Sequence, residues 1–346
     1  MSASASKAAG SGTQTETPLA LTPGEPAGVG AEIALKAWSG KKTPLFFLID
    51  DPDRVRRISR DTGLRIPVME IDDPEQAGAA NADGLPVLGC TGLSSARLGH
   101  PDPGTAPAVI KAIQDAVSMA VSGAAAAVVT NPIQKNTLHQ AGFPHPGHTE
   151  FLADLAGGAR SVMMLACSGL RVVPITIHEP LRRVPELLTR EIITETARIT
   201  RGALKNDFAL DNPRLAFAGL NPHAGEGGSI GTEDAEIIAP AIEELRSEGM
   251  HVEGPMPADS MFHADARERY DAALCMYHDQ ALIPIKTLDF WGGVNVTMGL
   301  PFVRTSPDHG TALDLAGSGK ASEKSLVAAL RMARDIARNR QAATPR

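Results

Sequence analysis

Short apolar runs alternate with segments of helical period along most of the chain. "PLALT" precedes "VGAEIALKAW", "PLFFLI" precedes "DRVRRIS", and "APAVIKAIQDAVSMAVSG" is followed by "AAAAVVT". A short apolar run suits a strand covered on both faces, whereas the longer segments place apolar residues three to four apart on one helical stripe. That alternation specifies an α/β protein. Further along come a hairpin, "SVMMLA" with "LRVVPITIH", a long helix through "REIITETARITRGAL", and the strand "RLAFAGL". The helices "EDAEIIAPAIEELRSEG" and "SLVAALRMARDIA" follow. With 346 residues, 43% of them hydrophobic, the chain has material for two domains.

The termini differ in composition. Residues 1–17, "MSASASKAAGSGTQTET", and the closing "NRQAATPR" have almost no large apolar side chains, so both are expected to be disordered tails. No stretch approaches the roughly 20 apolar residues of a membrane span, and the first residues lack the basic-then-apolar order of a signal peptide, which predicts a cytoplasmic protein with no membrane contact. A net charge of -7 argues against nucleic-acid binding, so an anionic ligand would need a local cluster of cations. Cys90, Cys167 and Cys275 are far apart, form no CxxC motif, and are expected to be small buried thiols.

Histidines close apolar, strand-like runs three times: "VVPITIH" ends on His178, "LAFAGLNPH" reaches His223 and "AALCMYH" reaches His278. Ligand sites in α/β sheets form at strand ends. One histidine there is ordinarily a satisfied core or surface residue. Three point to a divalent metal, because neutral imidazoles bind zinc and similar ions and three protein ligands leave positions open for a substrate. Asp279 follows His278, and Asp259 stands in "PADSMF". Each is either a catalytic proton relay or imidazole partner, or else a helix N-cap.

Glycine-rich loops complete the set. "GEPAGVGAEI" carries Gly24, Gly28 and Gly30, but Ile33 stands where a dinucleotide fingerprint needs a third glycine, so a tight strand-to-helix turn is expected. "NPHAGEGGSIGTED", residues 221–234, is expected to shape a pocket around His223. "DHGTALDLAGSGKA", residues 308–321, is similar to the "HG(S/T)A...D.AG.G" signature of the β-decarboxylating dehydrogenases, the isocitrate and isopropylmalate dehydrogenase class. In that class the loop receives the adenosine part of NAD(P), which implies cofactor contacts at His309, Gly310, Thr311 and Asp314.

A wider resemblance spans about residues 18–335. "LTPGEPAGVGAE", "PGHTEFLA", "GLNPHAGEGG", "GPMPAD", "MYHDQALIPIK" and "GVNVTMGLPFVRTSPDHGTA" resemble, in order and spacing, the 4-hydroxythreonine-4-phosphate dehydrogenase family of vitamin B6 synthesis. "TNPIQK", residues 130–135, departs from the "TGPVHK"-like stretch of many members, and Glu25 stands where many have aspartate. The first departure leaves open the choice among related phosphorylated hydroxy acids.

The resemblance implies a divalent metal, zinc, magnesium or cobalt, at His178, His223 and His278, completed across a homodimer interface. It implies substrate contacts at His148, Thr149, Lys286, Asn295 and Arg304. Singly these last three read as a helix-end cation, a turn residue and a surface ion-pair partner. Jointly they suit a phosphate, which binds strongly through charge-assisted hydrogen bonds. The implied reaction is NAD- or NADP-dependent oxidation of 4-phosphohydroxy-L-threonine to 2-amino-3-oxo-4-phosphooxybutanoate, which decarboxylates to 3-amino-2-oxopropyl phosphate. Alternatives are a dehydrogenase of a 4-phosphoerythronate-like acid, a metal-dependent phosphatase, and a silent small-molecule sensor. The implied architecture is a two-domain isocitrate/isopropylmalate dehydrogenase-like fold. Residues 18–128 plus 288–346 form one domain and 129–287 the other, with the active site in the cleft between them.

Overall fold

The computed structural model describes residues 16–343. Its strands are β1 (Leu19–Thr22), β2 (Phe46–Asp50), β3 (Val68–Ile71), β4 (Leu85–Gly89), β5 (Val128–Thr130) and β6 (Val162–Cys167). They continue with β7 (Leu170–Pro174), β8 (Arg214–Ala218), β9 (His251–Met256), β10 (Ala272–Cys275), β11 (Val294–Met298) and β12 (Arg304–Pro307). All join one sheet in the order β3-β4-β2-β1-β5-β12-β11-β6-β7-β10-β8-β9. The helices that matter below are α1 (Gly30–Ser39), α2 (Pro52–Asp61), α3 (Ala106–Ser122), α4 (Lys135–Gln140) and α5 (His148–Leu155). After them come α6 (Arg190–Asn206), α7 (Ala239–Ser247), α8 (His278–Leu288) and α9 (Lys324–Ala343).

The strands from β3 to β12 run parallel, as do those from β7 to β9, and the two parallel wings meet in the antiparallel centre β12-β11-β6-β7. The apolar runs of the sequence become strands buried on both faces. In β2, Phe46 and Leu48 enter one core while Phe47 and Ile49 enter another, as the two-residue alternation of a strand requires. The expected hairpin is β6 with β7, Leu165 opposite Val172. The central pair β11 and β12 carries a different pattern: β11, VNVTM, alternates apolar with polar residues, β12 opens with three polar residues, RTS, and Asn295, Arg304 and Ser306 line the cavity described below. On the opposite face Thr305 donates to the Ala329 carbonyl of α9 at 2.9 Å.

"GEPAGVGAEI" forms the tight turn into α1. A Cβ on Gly24, which sits at φ +70°, would lie 2.7 Å from the Pro132 carbonyl, and one on Gly28 would lie 2.7 Å from the Thr311 carbonyl. These glycines therefore serve close packing. Beneath the turn, Arg54 of α2 is buried against Asp50 and donates to the Pro26 carbonyl.

The expected tails at both termini lie partly outside the described residues, which end at 16 and 343. The expected tail over residues 1–17 lies outside the described residues except at its end, where Glu16 pairs with Arg334 at 3.0 Å and the Thr17 carbonyl accepts from Arg334 at 2.7 Å. At the other terminus α9 continues through Ala343. Polar anchoring replaces apolar burial there: Asn339 donates to the Asp207 carbonyl at 2.7 Å and Arg340 pairs with the Asp207 carboxylate at 2.6 Å. Of the thiols, Cys275 is buried while Cys90 and Cys167 are half-buried, and burial pushes the Cys90 thiol up to about 11. Among the described residues no helix is long and apolar enough to cross a membrane.

α1 also holds the glycine loop that follows β12. The buried Glu32 carboxylate accepts from Gly317 N and Ala321 N, each at 3.1 Å, and Lys36 donates to the carbonyls of Gly319 and Ala321 at 2.6 Å. Hydrogen bonds to a buried charge are worth about 1.5–3 kcal/mol each. Glu32→Ala is expected to lower the unfolding free energy by about 3 kcal/mol in chemical denaturation. A loss under about 1 kcal/mol would show that the loop holds itself.

Candidate active site

Residues opposite one another in a sheet project from the same face. Asn295 on β11 lies between Ser306 of β12 and Leu165 of β6, and these residues, with Thr130, Met163 and Arg304, floor a cavity of about 430 Å³. Lys135 at the start of α4, Gly147 to Glu150 at the start of α5, His178, and His278 with Leu282 on α8 make its walls. His278, Leu282 and Lys286 fall four residues apart and form one stripe along α8.

Three polar residues, 278–280, follow β10, and each has a defined place. His278 begins α8 as the chain leaves the sheet, and Asp279 faces its Nδ1 at 2.8 Å, which orients the imidazole. Gln280 is buried, accepting from Met276 N at 2.7 Å and donating to the Gly219 carbonyl at 2.8 Å, so it ties the end of β10 to the end of β8. Because β7 and β10 are neighbours, with Pro174 opposite Cys275, their downstream segments bring His178 to His278, ring centroids 5.8 Å apart.

His223 does not join them. It opens a turn in which residues 223–228 all have positive φ, including the non-glycine His223, Ala224 and Glu226. Each such residue costs roughly 1–2 kcal/mol. The turn is held by Asp234, which accepts from Leu220 N at 2.8 Å and from the Asn221 side chain at 2.9 Å. His223 is exposed and lines neither this cavity nor the one flanking the histidine pair. Among the described residues no three His, Cys, Asp or Glu side chains converge as a metal site. Two imidazoles from adjacent strand ends, one oriented by a carboxylate, are nevertheless a donor set that suits a divalent ion lacking one protein ligand.

Asp279 lines only the flanking cavity, and Asp259 is exposed in the turn Ala258–Ser260, outside both. The N-cap of α8 is Tyr277, with no side-chain cap bond, so Asp279 is no cap.

Arg304 departs most from its ordinary reading. It is only 3% exposed, and its guanidinium donates to Thr130 Oγ1 at 2.6 Å and Thr297 Oγ1 at 2.8 Å, with no carboxylate paired to it among the described residues. Burial pushes its pKa down to about 10, so it remains a cation at neutral pH. Lys286 is a helix-end cation, as expected, but it is also engaged: Nζ donates to the Asp308 carbonyl at 2.8 Å and pairs with the Asp308 carboxylate. Lys135 lines the cavity, and its side-chain ammonium has no hydrogen bond or ion pair among the described residues. The sequence reading marked "TNPIQK" only as a departure from a family pattern and gave Lys135 no role. Thr130 and Ser306 were also missed, because nothing in the sequence places β5 beside β12.

Four polar atoms around this cavity are shielded from water without a hydrogen bond, and setting aside Asp308 Oδ2, which is ion-paired with Lys286, three have no partner: His148 Nε2, Asn295 Oδ1 and His309 Nε2. Buried polar atoms are normally satisfied, so three orphans around one cavity mark a ligand site. The His148 pKa lies well below 6.5, first because of burial and then because of the positive charge of Arg304 and Lys135. Since the folded state resists protonation, the contribution of His148 to stability is full above pH 6.5, where the imidazole is neutral in both states. It falls as pH drops below that value, where only the unfolded chain takes up the proton. A thermal melt series from about pH 7.5 to 5 should show the wild type losing stability faster than His148→Gln. Parallel curves would contradict this.

His309 and Gly310 line the same cavity and, with Asp308, also wall a second one of about 380 Å³. Thr311 contributes its carbonyl to Val29 N at 3.1 Å, and Asp314 is exposed outside both cavities. Of the four expected cofactor residues, the fold thus brings two to the cavities.

The family model for the pyridoxal phosphate biosynthetic protein PdxA matches residues 42–333. A protein of Paracoccus denitrificans named 4-hydroxythreonine-4-phosphate dehydrogenase is 55% identical over 329 residues, 93% of this chain and 98% of its own length. One of the same name from Caulobacter vibrioides is 50% identical over 334 residues, 94% of this chain and 99% of its own. The crystal structure of 4-hydroxythreonine-4-phosphate dehydrogenase from Klebsiella pneumoniae superposes with a TM-score of 0.83 at 35% identity, covering 93% of this chain and 100% of that one.

Proposed function

The chain belongs to the PdxA family of pyridoxal phosphate biosynthesis, and from that we propose that it oxidises 4-phosphohydroxy-L-threonine with NAD or NADP, giving 2-amino-3-oxo-4-phosphooxybutanoate. The observation that carries this reading is the union, in one cavity, of the His178–His278 pair with the cations Arg304 and Lys135 and the orphaned donors and acceptors of His148 and Asn295.

The chain's own residues divide the work. Arg304 and Lys135 supply charge for the phosphate, and His148, Thr149 and Asn295 supply hydrogen bonds that fix its orientation. Lys286, held by Asp308, keeps a cation at the opposite wall. A divalent ion at His178 and His278, with His223 contributed by the second subunit of a homodimer, would supply a Lewis acid that lowers the pKa of the substrate hydroxyl and favours loss of carbon dioxide afterwards. A nicotinamide dinucleotide lying along His309 and Gly310 would supply the hydride acceptor. Asp279, through its contact with His278, is the carboxylate placed to orient that ligand and pass a proton; Asp259 stands outside the cavity of a single chain. We propose further that residues 18–128 with 288–346 and residues 129–287 are the two domains, and that the enzyme works in the cytoplasm.

The test is NAD(P)H absorbance with metal-loaded protein offered 4-phosphohydroxy-L-threonine beside 4-phospho-D-erythronate, with an EDTA-treated control. Metal-dependent reduction with the threonine compound is expected. Reduction only with the erythronate would move the substrate, and none with either would overturn the dehydrogenase reading for this chain.

A further inference from the structure

Arg54 is buried against the Asp50 carboxylate and Lys286 is paired with Asp308, so both of those charges are neutralised within the chain. The Arg304 guanidinium is gripped instead by neutral hydroxyls from both neighbouring strands. Thr130 Oγ1 of β5 accepts from Nε at 3.2 Å and from Nη2 at 2.6 Å, and Thr297 Oγ1 of β11 accepts from Nη1 at 2.8 Å. Continuing the β11–β12 register one pair beyond Val296 and Thr305 sets Thr297 opposite Arg304, while β5 pairs with β12 on its other side. The three side chains therefore share the face that floors the cavity.

A guanidinium carries five N–H donors on one rigid plane. The threonines take three of them, one each from Nε, Nη1 and Nη2, which leaves one N–H on each terminal nitrogen. Two donors on one plane suit two oxygens of a phosphate group, a bidentate pairing that a lysine ammonium cannot make. An arginine on a mobile stem loses rotamer freedom when its ligand arrives, whereas this one has lost it on folding. We propose that Thr130 and Thr297 are positioning residues for the substrate phosphate. They fix the plane of the Arg304 guanidinium without neutralising it and present its two remaining N–H groups as a fork. The inference rests on the reading above that Arg304 meets the phosphate, and adds to it how the cation is aimed and by which residues.

Threonines that only satisfied a buried cation would act on stability alone. Thr130→Val removes one hydroxyl and keeps the side-chain shape. It is expected to raise the KM for the phosphorylated substrate about tenfold, with kcat within about threefold of the wild type. The rise in melting temperature produced by inorganic phosphate should shrink in parallel. Thr130→Ser restores the hydroxyl and should restore both readings. Thr297→Val, which frees one N–H rather than two, should move them in the same direction by less. Arg304→Lys keeps the charge, lacks the fork, and should lose the phosphate response.

A Thr130→Val protein that melts lower yet keeps the wild-type KM and the full phosphate shift would overturn the clamp. So would a wild-type response in Arg304→Lys, because charge alone would then suffice. Should Thr130→Val not fold, Thr297→Val decides in its place: an unchanged KM and phosphate shift there overturn the clamp equally. A wild type that phosphate does not stabilise would overturn the phosphate reading of Arg304 and the clamp with it. The melts need no turnover, so they decide this point whichever substrate is reduced.

Discussion

His278→Ala is expected to lower kcat by at least about a thousandfold and to leave the purified protein without bound metal after dialysis. A Lewis-acidic ion contributes several kcal/mol to the stabilisation of developing charge, and each 1.36 kcal/mol is a factor of ten in rate. His278 faces His178, and among the described residues no third metal-ligating side chain converges with them, so His178 left by itself cannot hold an ion with comparable affinity. Asp279→Asn is the graded companion. Asp279 contacts Nδ1 of His278 at 2.8 Å, and loss of such an orienting partner ordinarily weakens metal binding or activity by about 10- to 100-fold. Elemental analysis of both variants, beside their kcat, separates loss of the ion from loss of the fold. A His278→Ala protein that keeps its metal and its turnover would place the ion elsewhere.

Arg304→Met is expected to reduce kcat/KM by about a hundredfold or more while leaving the melting temperature equal to or above that of the wild type. Removing one side of a buried, hydrogen-bonded charge interaction with a ligand costs about 2–5 kcal/mol of binding. The same guanidinium is a liability to the empty fold. It is 3% exposed, bonded only to two threonine hydroxyls and unpaired with any carboxylate among the described residues, so its desolvation is uncompensated until an anion arrives. Methionine of similar length removes that cost. The check is a pair of thermal melts with and without inorganic phosphate: phosphate should raise the wild-type midpoint by mass action and leave the variant unmoved. Equal stabilisation of both proteins would show that the anion binds elsewhere.

How much of this was legible in the sequence depends on the range of the interaction concerned. The alternation of strands and helices was legible because burial on both faces of a parallel strand writes an unbroken apolar run, as in β1 and β2. His178 and His278 were legible as strand-end residues, and neighbouring strands then brought them together. The opposite fate of His223 was not, because the left-handed turn is held by Asp234, a contact no local pattern announces. The helical end of α9 was misread for a similar reason. Its segment is poor in apolar residues, yet Asp207, the residue just after α6, anchors it through ionic and polar bonds that composition does not register. Arg304 was read as a ligand residue only through a family pattern. Taken alone, an arginine after "GLPFV" looks like a surface cation, and only the pairing of β12 with β5 and β11 shows that it is sealed in.

The antiparallel centre also sets the order in which this protein can be made. β11 and β12 come from the last third of the chain yet insert between β5 and β6, and the Arg304–Thr130 contact joins residues 174 apart in sequence. Pairings this distant form slowly, because the intervening loop must be closed before they reward it. Until β11 and β12 leave the ribosome, β5 and β6 are open edges with unpaired backbone groups, and such edges recruit other strands. The nascent protein is thus most exposed to aggregation in the interval just before its cavity gains a floor, the stage at which a chaperone that shields strand edges would have the largest effect on yield.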